Sequence, residues 1–320
     1  MFAGSGKGPS CMLDVALLGT GGMMPLPNRF LTSMLCRING NMLLIDCGEG
    51  TQVTLKKLGW GFKNIDGIAI THFHADHISG LPGLLLAIGN SEREEPLRMF
   101  GPPGLEAVVK GLRVIVPELP FDIQFTEWSK ELTGSFFLND VELKSLPLNH
   151  WMPCFGYSIT MHRRGRFDLE RAKRDKIPMA VWSPLQKQDE VVYEGVRYTS
   201  DMVLGPPRKG LMVGYCTDTR PVPNLPPFMQ KADLLICEGL YGEEDKQEKA
   251  AAHKHMSFQE AATIAKEAQV HELWLTHFSP AMPEPHRYLH EATKIFPNTV
   301  IGRDRMTKTL IFDEEVMPCD

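Results

Sequence analysis

The residues best suited to chemistry lie close together in one short segment. Three histidines and one aspartate occur within six residues, at His72, His74, Asp76 and His77. Imidazole and carboxylate groups are ligands that suit zinc, manganese or iron better than a metal that prefers thiolates. Four such groups are more than one catalytic metal uses when it must keep a position open for water. The segment therefore predicts part of a two-metal site, with the remaining ligands further along the chain.

An apolar run leads into this segment, and a turn-rich stretch follows it. The run Gly67–Ile70 predicts a short buried strand. Residues 78–83 contain two glycines and one proline. Side chains in a loop at the end of a strand are held by a rigid scaffold and are often functional. We therefore expect the four donors to lie in a loop at a strand end.

Three more residues of the same chemical types follow predicted strands. They are His150 after Val141–Leu146, Asp218 after Leu211–Tyr215, and His277 after Glu272–Thr276. An isolated histidine is more often structural than functional, but the shared position at a strand end favours a common site. Together with the first segment they supply seven donors, enough for two metals about 3.5–4 Å apart that share a carboxylate and a hydroxide. Such a pair suits hydrolysis, because it activates water and holds negative charge on a phosphoryl or acyl oxygen.

Asp46 also lies at a strand end, after Met42–Ile45, and two interpretations fit it. Because glycines follow it closely, it could be an ordinary turn aspartate. Alternatively, its carboxylate could orient a metal-bound histidine without touching the metal. The sequence leaves both interpretations open.

The remaining pattern predicts a single domain over 1–320 that mixes strands and helices. Further strands are predicted at 13–18, 33–37, 97–100, 121–128, 232–237 and 307–312, and helices at 51–57, 81–88, 105–116, 257–268 and 286–296. Ser257 and Glu260 form a capping-box pattern that starts the helix after His255. Residues 161–176 are rich in Arg and Lys, and 177–210 show few periodic signals. We therefore predict an insertion over 161–210, irregular in its second part.

Composition and charge exclude some classes of function. The 320-residue chain is 43% hydrophobic and carries a net charge of −5, so it is not a polycation that binds nucleic acid over its whole surface. The basic stretch 161–176 is either a solvated helix face, the usual meaning of such a run, or a local phosphate-contacting arm. Seven scattered cysteines without a Cys-x-x-Cys pair, and no signal or membrane-spanning run, predict a reduced cytoplasmic protein.

The ligand pattern resembles that of the metallo-β-lactamase superfamily. By that likeness one metal takes His72, His74 and His150. The other takes Asp76, His77 and His277, with Asp218 between the two metals. Asp46 matches the first motif aspartate of the superfamily. The resemblance implies an α+β or α/β fold, a four-layer αββα sandwich with helices outside two packed sheets. It also implies two divalent metal ions, with zinc expected and manganese or iron also compatible.

Nearly the whole chain is similar to ribonuclease Z, the endonuclease family that removes 3′ trailers from precursor tRNA. The shared segments are LLGTGG, IDCGEGTQ, THFHADHISGLPGL, GPPG, FGYSI, GPPRKG, TDTRP and THFSP. The resemblance implies that Asp76 and His255 together protonate the leaving oxygen, and that the insertion is an arm that grips the tRNA elbow. We also expect a homodimer. The arginines expected to contact the substrate are Arg29, Arg163, Arg164 and Arg166.

Two other functions are compatible with the same residues. One is a metal-dependent hydrolase of small phosphodiesters or other small esters, in which the insertion serves only dimer contacts. The other is a non-enzymatic binding protein that keeps the fold. The complete set of seven donors argues against the second, because a protein without catalysis has no reason to keep them.

Overall fold

Two seven-stranded β-sheets make up most of the computed structural model, which describes residues 12–131, 133–139, 141–242 and 246–312. The strands are β1 (Met12–Gly19), β2 (Ser33–Ile38), β3 (Asn41–Ile45), β4 (Ile65–Ala69), β5 (Leu97–Gly101), β6 (Ile123–Glu127), β7 (Gly134–Leu138), β8 (Val141–Pro147), β9 (Phe155–Arg163), β10 (Glu190–Tyr193), β11 (Val196–Thr199), β12 (Arg208–Cys216), β13 (Leu234–Glu238), β14 (Leu273–Thr276), β15 (Thr299–Ile301) and β16 (Thr307–Ile311). One sheet has the order β16-β1-β2-β3-β4-β5-β6, and the other has the order β15-β14-β13-β12-β9-β8-β7. Strands β10 and β11 pair with each other.

The helices connect these strands. They are α1 (Thr51–Leu58), α2 (Ala75–Ile78), α3 (Leu81–Gly89), α4 (Leu105–Leu112), α5 (Leu169–Arg174), α6 (Met179–Leu185), α7 (Leu225–Phe228), α8 (Gln247–His253), α9 (Phe258–Glu267) and α10 (Leu289–Thr293), with short 3₁₀ turns at Arg113–Ile115, Ser200–Met202 and Pro285–Tyr288. The predicted capping box is present, because Ser257 accepts from the Glu260 N–H and Glu260 accepts from the Ser257 N–H. Each helix of the βα units returns the chain so that the next strand ends at the same sheet edge.

Apolar residues at helical spacing pack each sheet against its own helices. In α3, Leu81, Leu84, Leu85 and Ile88 are fully buried in the core of the first sheet, the i, i+3, i+4, i+7 spacing of one helix face. Helix α9 buries Phe258 and several alanines in the core of the second sheet. Facing elements of the two sheets are also joined by polar contacts. The four-layer αββα sandwich is therefore confirmed.

Tyr157 of β9 provides one of these contacts between the sheets. Its hydroxyl donates to the Ile70 carbonyl at 2.7 Å, just beyond the end of β4. It also accepts from Trp128 Nε1 at 3.2 Å. Because the Tyr157 side chain is fully buried, these bonds satisfy a hydroxyl that would otherwise be costly to bury. The contact fixes the strand end that leads into the donor segment.

The hairpin β2–β3 turns as its sequence predicts. Asn39 and Gly40 have φ values of 50° and 89°. Positive φ at both central positions is the type I′ turn that Asn-Gly favours, because Gly has no Cβ to clash there. The turn pairs β3 with β2, and β3 also pairs in parallel with β4, so Asp46 and the donor segment emerge next to each other.

The chain divides into two compact units, one formed by Met161–Leu211 and the other by Met1–Thr160 with Met212–Asp320. The smaller unit corresponds to the segment that the sequence sets apart as 161–210. Its expected irregularity over 177–210 is wrong, because α6 and the β10–β11 hairpin lie there. The apolar residues that form its core are Ala172, Ile177, Val181, Leu185, Val203 and Leu204.

Some expectations for the larger unit need correction as well. Asp76 and His77 lie in the short helix α2, and only the first donors lie in a loop. Strands β7, β9 and β15 and helices α7 and α8 have no counterpart among the predicted elements. Cys11 and Cys319 fall outside the described residues, and the other five cysteines are buried free thiols. Within the described ranges, every helix falls short of the length and hydropathy that a bilayer crossing requires.

Candidate metal centre

The seven predicted ligands come together in two adjoining groups. One group is His72, His74, His150 and Asp218, and the other is Asp76, His77 and His277. Within each group the candidate ligand atoms lie within 4.8 Å of one another. All seven are buried except the half-buried His74. The strand ends that the sequence identified therefore do converge.

Asp218 lies between the two groups and faces one with each oxygen. Its Oδ1 is 3.1 Å from His77 Nε2 and 3.2 Å from His277 Nε2. Its Oδ2 is 3.6 Å from His72 Nε2 and 3.9 Å from His150 Nε2. A carboxylate placed in this way can be shared by two cations, which is the position that the sequence predicts for it.

Asp46 supports the donor segment from behind, which favours the second of its two interpretations. Its Oδ2 is 2.8 Å from Nδ1 of His77, and the Thr71 hydroxyl lies within 3.0 Å of both its oxygens. Thr71 also lies 3.0 Å from Nδ1 of His72. A bond at Nδ1 fixes the ring and its tautomer, so that Nε2 faces the site. The sequence analysis did not identify Thr71, although its position directly before His72 is a possible signal.

Three of the site residues adopt a strained backbone conformation. Asp46, Asp218 and His277 have φ values of 58°, 52° and 57°, in the left-handed region. Such residues are uncommon outside glycine and occur often at functional sites. Each follows a strand directly or within two residues, so the turn aims its side chain into the site. Gly22 allows this packing, because a Cβ there would lie 2.7 Å from the His277 ring.

Glu238, at the end of β13, is a site residue that the sequence analysis did not identify. It is fully buried, and its Oε2 is 2.8 Å from Nδ1 of His255. Its Oε1 accepts from the Thr219 N–H at 2.7 Å. The second nitrogen of His255 thus remains available to the site. The signal for Glu238 was its place at a strand end, the same position that identified Asp218 and His277.

Arg220 fixes His255 through the backbone. Its guanidinium donates to the His255 carbonyl oxygen and pairs with Glu260 of the capping box. The His255 ring lies 5.4 Å from the His150 ring and 5.5 Å from the His277 ring, measured between centroids. His255 is therefore held beside both groups of donors by a charged network that also begins helix α9.

The two groups of histidines differ in protonation. Burial lowers the pKa of His72, His74 and His150, so these rings are neutral at pH 7. Burial acts in the same direction on the pKa of His77 and His277, but the carboxylates around them together outweigh it: Asp218 and Asp46 for His77, and Asp218, Asp76 and Glu238 for His277. As a result the pKa of His77 is raised well above its usual range and that of His277 rises to about 10.

These donors fit divalent metal ions on two observations. Nitrogen atoms of different histidines face each other, with His72 Nε2 3.0 Å from His74 Nδ1 and His77 Nε2 3.3 Å from His277 Nε2. In addition, Asp218 Oδ1 is buried without a hydrogen-bond partner among the described residues. A cation that replaces the protons of His77 and His277 would be bound by the facing nitrogens of the neutral rings and by this oxygen. The all-nitrogen-and-oxygen set suits zinc, manganese or iron.

Metal binding is expected to release protons at one group and not at the other. A ligating imidazole must be neutral, so His77 and His277 each lose a proton, whereas His72, His74 and His150 have none to lose. Because their pKa values are raised, His77 and His277 hold their protons until the pH is well above neutral, and these protons compete with the metal. Metal affinity at the His77–His277 group should therefore rise between pH 6 and 9. Calorimetric titration of metal-free protein in two buffers of different ionisation enthalpy measures the release, about two protons in total. Equal release at both groups, or affinity independent of pH, contradicts the assignment.

A cavity of about 640 Å³ opens over the donors. The donors and neighbours His74, Asp76, His150 and His255 line it, together with Met23 and Met282. The remaining wall includes Trp151, Tyr241, Lys246, Lys249 and His253. The cavity is large enough for a nucleotide-sized group beside the donors.

The four predicted substrate-contacting arginines are in different environments. Arg29 is half-buried and donates to the carbonyls of Met282 at 3.0 Å and Pro283 at 2.8 Å. It therefore holds in place the segment that contributes Met282 to the wall of the cavity. Arg164 belongs to the smaller unit and pairs with Asp189 at 2.9 Å. Arg163 and Arg166 belong to the same unit and also have interaction partners.

Known proteins similar to this chain were found by sequence and by structure. A family model described as anti-Pycsar protein Apyc1 matches residues 13–163. Ribonuclease Z of Clostridium acetobutylicum is 52% identical over 307 residues, 94% of this chain and 99% of that protein. Ribonuclease Z of Lachnoclostridium phytofermentans is 51% identical over 303 residues, 95% of this chain and 99% of that protein.

The solved structures agree with these relatives. The crystal structure of human tRNase Z, short form, matches with a TM-score of 0.67 and 26% identity, over 92% of this chain and 98% of that one. The metallo-β-lactamase fold protein YhfI from Bacillus subtilis matches with a TM-score of 0.67 and 20% identity, over 93% of this chain and 99% of that one. At 20% identity, the likeness to YhfI shows a shared fold and nothing more.

Proposed function

The chain belongs to the ribonuclease Z family of metal-dependent endoribonucleases, and we propose on that basis that it removes the 3′ trailer of precursor tRNA. The observation that carries the proposal is the convergence of seven donors on one cavity, with Asp218 between two groups and His255 beside both. The reaction is the hydrolysis of one phosphodiester bond, which leaves a 3′ hydroxyl on the tRNA.

The seven donors would hold two divalent ions, zinc in our proposal. His72, His74 and His150 would hold one, Asp76, His77 and His277 would hold the other, and Asp218 would contribute to both. Such ions lower the pKa of water to near neutrality and stabilise negative charge that develops on a phosphoryl oxygen. Asp46 and Thr71 hold the rings of His72 and His77 at their far nitrogens.

His255 donates the proton to the leaving 3′ oxygen. Burial tends to lower the pKa of His255, but the charge and hydrogen bond of Glu238 raise it, so the ring carries a proton near neutral pH. Because Glu238 holds Nδ1, the opposite nitrogen faces the cavity and gives up its proton there. Asp76 accepts from the Met23 N–H at 2.6 Å, and His277 Nε2 lies 3.3 Å from its Oδ2, so it is fixed as a ligand and positioned to take part in the proton transfer.

The smaller unit acts as the arm that grips the tRNA. Its arginines supply phosphate contacts that a small diester would not use. The protein works as a homodimer in the cytoplasm; its buried free thiols suit a reducing compartment. Sedimentation of the purified protein tests the dimer.

Replacement of Arg163, Arg164 and Arg166 together by Ala is expected to weaken binding of precursor tRNA and to raise its KM. Each lost phosphate contact reduces the slope of log Kd against log salt concentration by about 0.7–0.9, so the triple variant should lose about 2–3 from the slope. A matched control removes three exposed lysines elsewhere, Lys56, Lys110 and Lys294, and should keep the wild-type slope. An unchanged slope in the arginine variant would assign the smaller unit another role.

A second candidate is hydrolysis of a small phosphodiester. The cavity of about 640 Å³ over the donors would also hold a small diester, which favours keeping this candidate. The test compares precursor tRNA with a small diester such as bis(p-nitrophenyl) phosphate. Cleavage of precursor tRNA at one position near the end of the acceptor stem supports the proposal, and hydrolysis of the small diester alone supports the second candidate.

A further inference from the structure

Trp151 is an exposed aromatic residue beside the metal donors that has no part in the chemistry described so far. It follows His150 directly, and its side chain is 65% exposed. It lines the same cavity as Asp76, His150 and His255. An indole left in contact with water at the mouth of a catalytic cavity is a candidate surface for binding a flat apolar group.

Lys254 holds Trp151 in place and supplies positive charge behind it. Its Nζ lies 4.7 Å from the centroid of the Trp151 ring, the geometry of a cation–π contact. The same Nζ donates to the His150 carbonyl at 3.1 Å, and His150 Nδ1 lies 3.3 Å from the Lys254 carbonyl oxygen. Lys254, which supports the indole, is therefore bonded at two points to His150, a predicted metal ligand.

The backbone conformation of Lys254 determines where its side chain and the next residue, His255, lie. Lys254 ends helix α8 in the left-handed conformation, with φ 57° and ψ 45°. The turn directs the next residue, His255, to Glu238, while the Lys254 side chain extends over the indole. One short turn therefore places both the predicted proton donor and the support for Trp151.

The wall of the cavity also carries positive charge. Lys246 and Lys249 line it, from the residue before helix α8 and from that helix. An aromatic face in contact with one lysine, in a cavity lined by two more, matches a nucleobase joined to phosphates better than it matches an apolar peptide side chain. The charge of the wall therefore favours a nucleotide as the occupant.

We propose that Trp151, supported by Lys254, stacks against the base of the nucleotide that carries the leaving 3′ oxygen. This inference rests on the proposed function and adds a subsite to it. The upstream nucleotide is assigned because Trp151 and Lys254 directly adjoin His150 and His255 in the chain, and His255 gives its proton to that 3′ oxygen. Lys254 covers one part of the indole, and the exposed remainder receives the base.

The test is a double-mutant cycle between the protein and the RNA. Removal of the base from the last retained nucleotide should lower kcat/KM of the wild type about 5- to 150-fold, the worth of stacking one base. Trp151→Ala should lower kcat/KM for the intact precursor by a similar factor, and the abasic precursor should then lose nothing further. Trp151→Phe should restore most of the dependence on the base. Thermal melting and metal content identify a variant that is misfolded.

Two controls make the result decisive. An abasic site at the first trailer nucleotide should show no coupling to Trp151; coupling there, or additive effects at the upstream position, overturns the inference. A single-stranded RNA with 2-aminopurine at the upstream position should lose fluorescence on binding metal-free wild type and not on binding Trp151→Ala.

If precursor tRNA is not cleaved but Trp151-dependent quenching persists, the proposed function fails and the stacking surface stands. Cleavage without quenching or base dependence overturns the stacking surface and leaves the proposed function standing.

Discussion

Replacement of Asp218 by Ala is expected to abolish cleavage of precursor tRNA and to lower the bound metal well below two ions per chain. The two oxygens of Asp218 face different histidine groups, at 3.1 Å from His77 Nε2 and 3.6 Å from His72 Nε2. Loss of an outer partner of a ligand typically costs about 10–100-fold in metal affinity or activity. Loss of a ligand shared by both metals should cost more than that. Metal analysis of the dialysed variant and single-turnover cleavage measure the two effects.

Two companion variants interpret the Asp218 result. Asp218→Asn keeps the shape and one oxygen but removes the negative charge, so it should retain some metal and little activity. Asp122→Ala removes an exposed carboxylate from the same unit and should behave as wild type. Full metal content and activity in Asp218→Ala would contradict the central position assigned to this carboxylate.

Replacement of His255 by Ala is expected to slow cleavage by about 10²–10⁴-fold, the usual contribution of a general acid, with metal content unchanged. Glu238→Gln should have a smaller effect of a different kind. Glu238 raises the pKa of His255, so its neutral replacement lowers that pKa. Because an acid must carry its proton, activity falls as the pH rises through its pKa. The alkaline limb of the pH–rate profile should therefore move to lower pH in Glu238→Gln and disappear in His255→Ala.

The structure also allows another role for His255, that of a metal ligand, and the same two variants test it. His255 Nδ1 lies 3.8 Å from Asp218 Oδ2, and His255, Asp218 and His277 form a further group of potential ligands. If His255→Ala loses metal in proportion to activity, His255 is a ligand and the proton comes from elsewhere. A smaller leaving-group dependence in His255→Ala, measured with diesters of graded leaving-group pKa, would likewise argue against the proton donor.

Much of the site could be predicted from the sequence because its residues share one kind of position, directly after a predicted strand. His150, Asp218 and His277 stand at the ends of apolar runs, and parallel strands such as β12, β13 and β14 bring their ends to one sheet edge. The same reasoning could have selected Glu238, which ends β13. It did not, because a single carboxylate without a recognised ligand pattern is most often an ordinary surface or turn residue.

Other features depend on contacts that no local pattern encodes. Thr71 bonds to Asp46, 25 positions earlier in the chain, and Lys254 reaches Trp151 across 103 positions. The short elements of the smaller unit are likewise stabilised by one another, as the burial of Ile177, Val181 and Leu185 against Val203 indicates. Helix α6 even contains Pro184, which sequence patterns associate with the end of a helix. Tertiary packing overrides local propensity at these positions.

Parallel assays on one sample test the central claim most directly. Metal content of the purified protein is measured first, followed by cleavage of precursor tRNA and of a small diester at the same enzyme concentration. We expect about two divalent ions per chain, and cleavage of precursor tRNA at a single position that leaves a 3′ hydroxyl on the tRNA. An intact precursor alongside rapid hydrolysis of the small diester, with the metals bound, would contradict the proposed function.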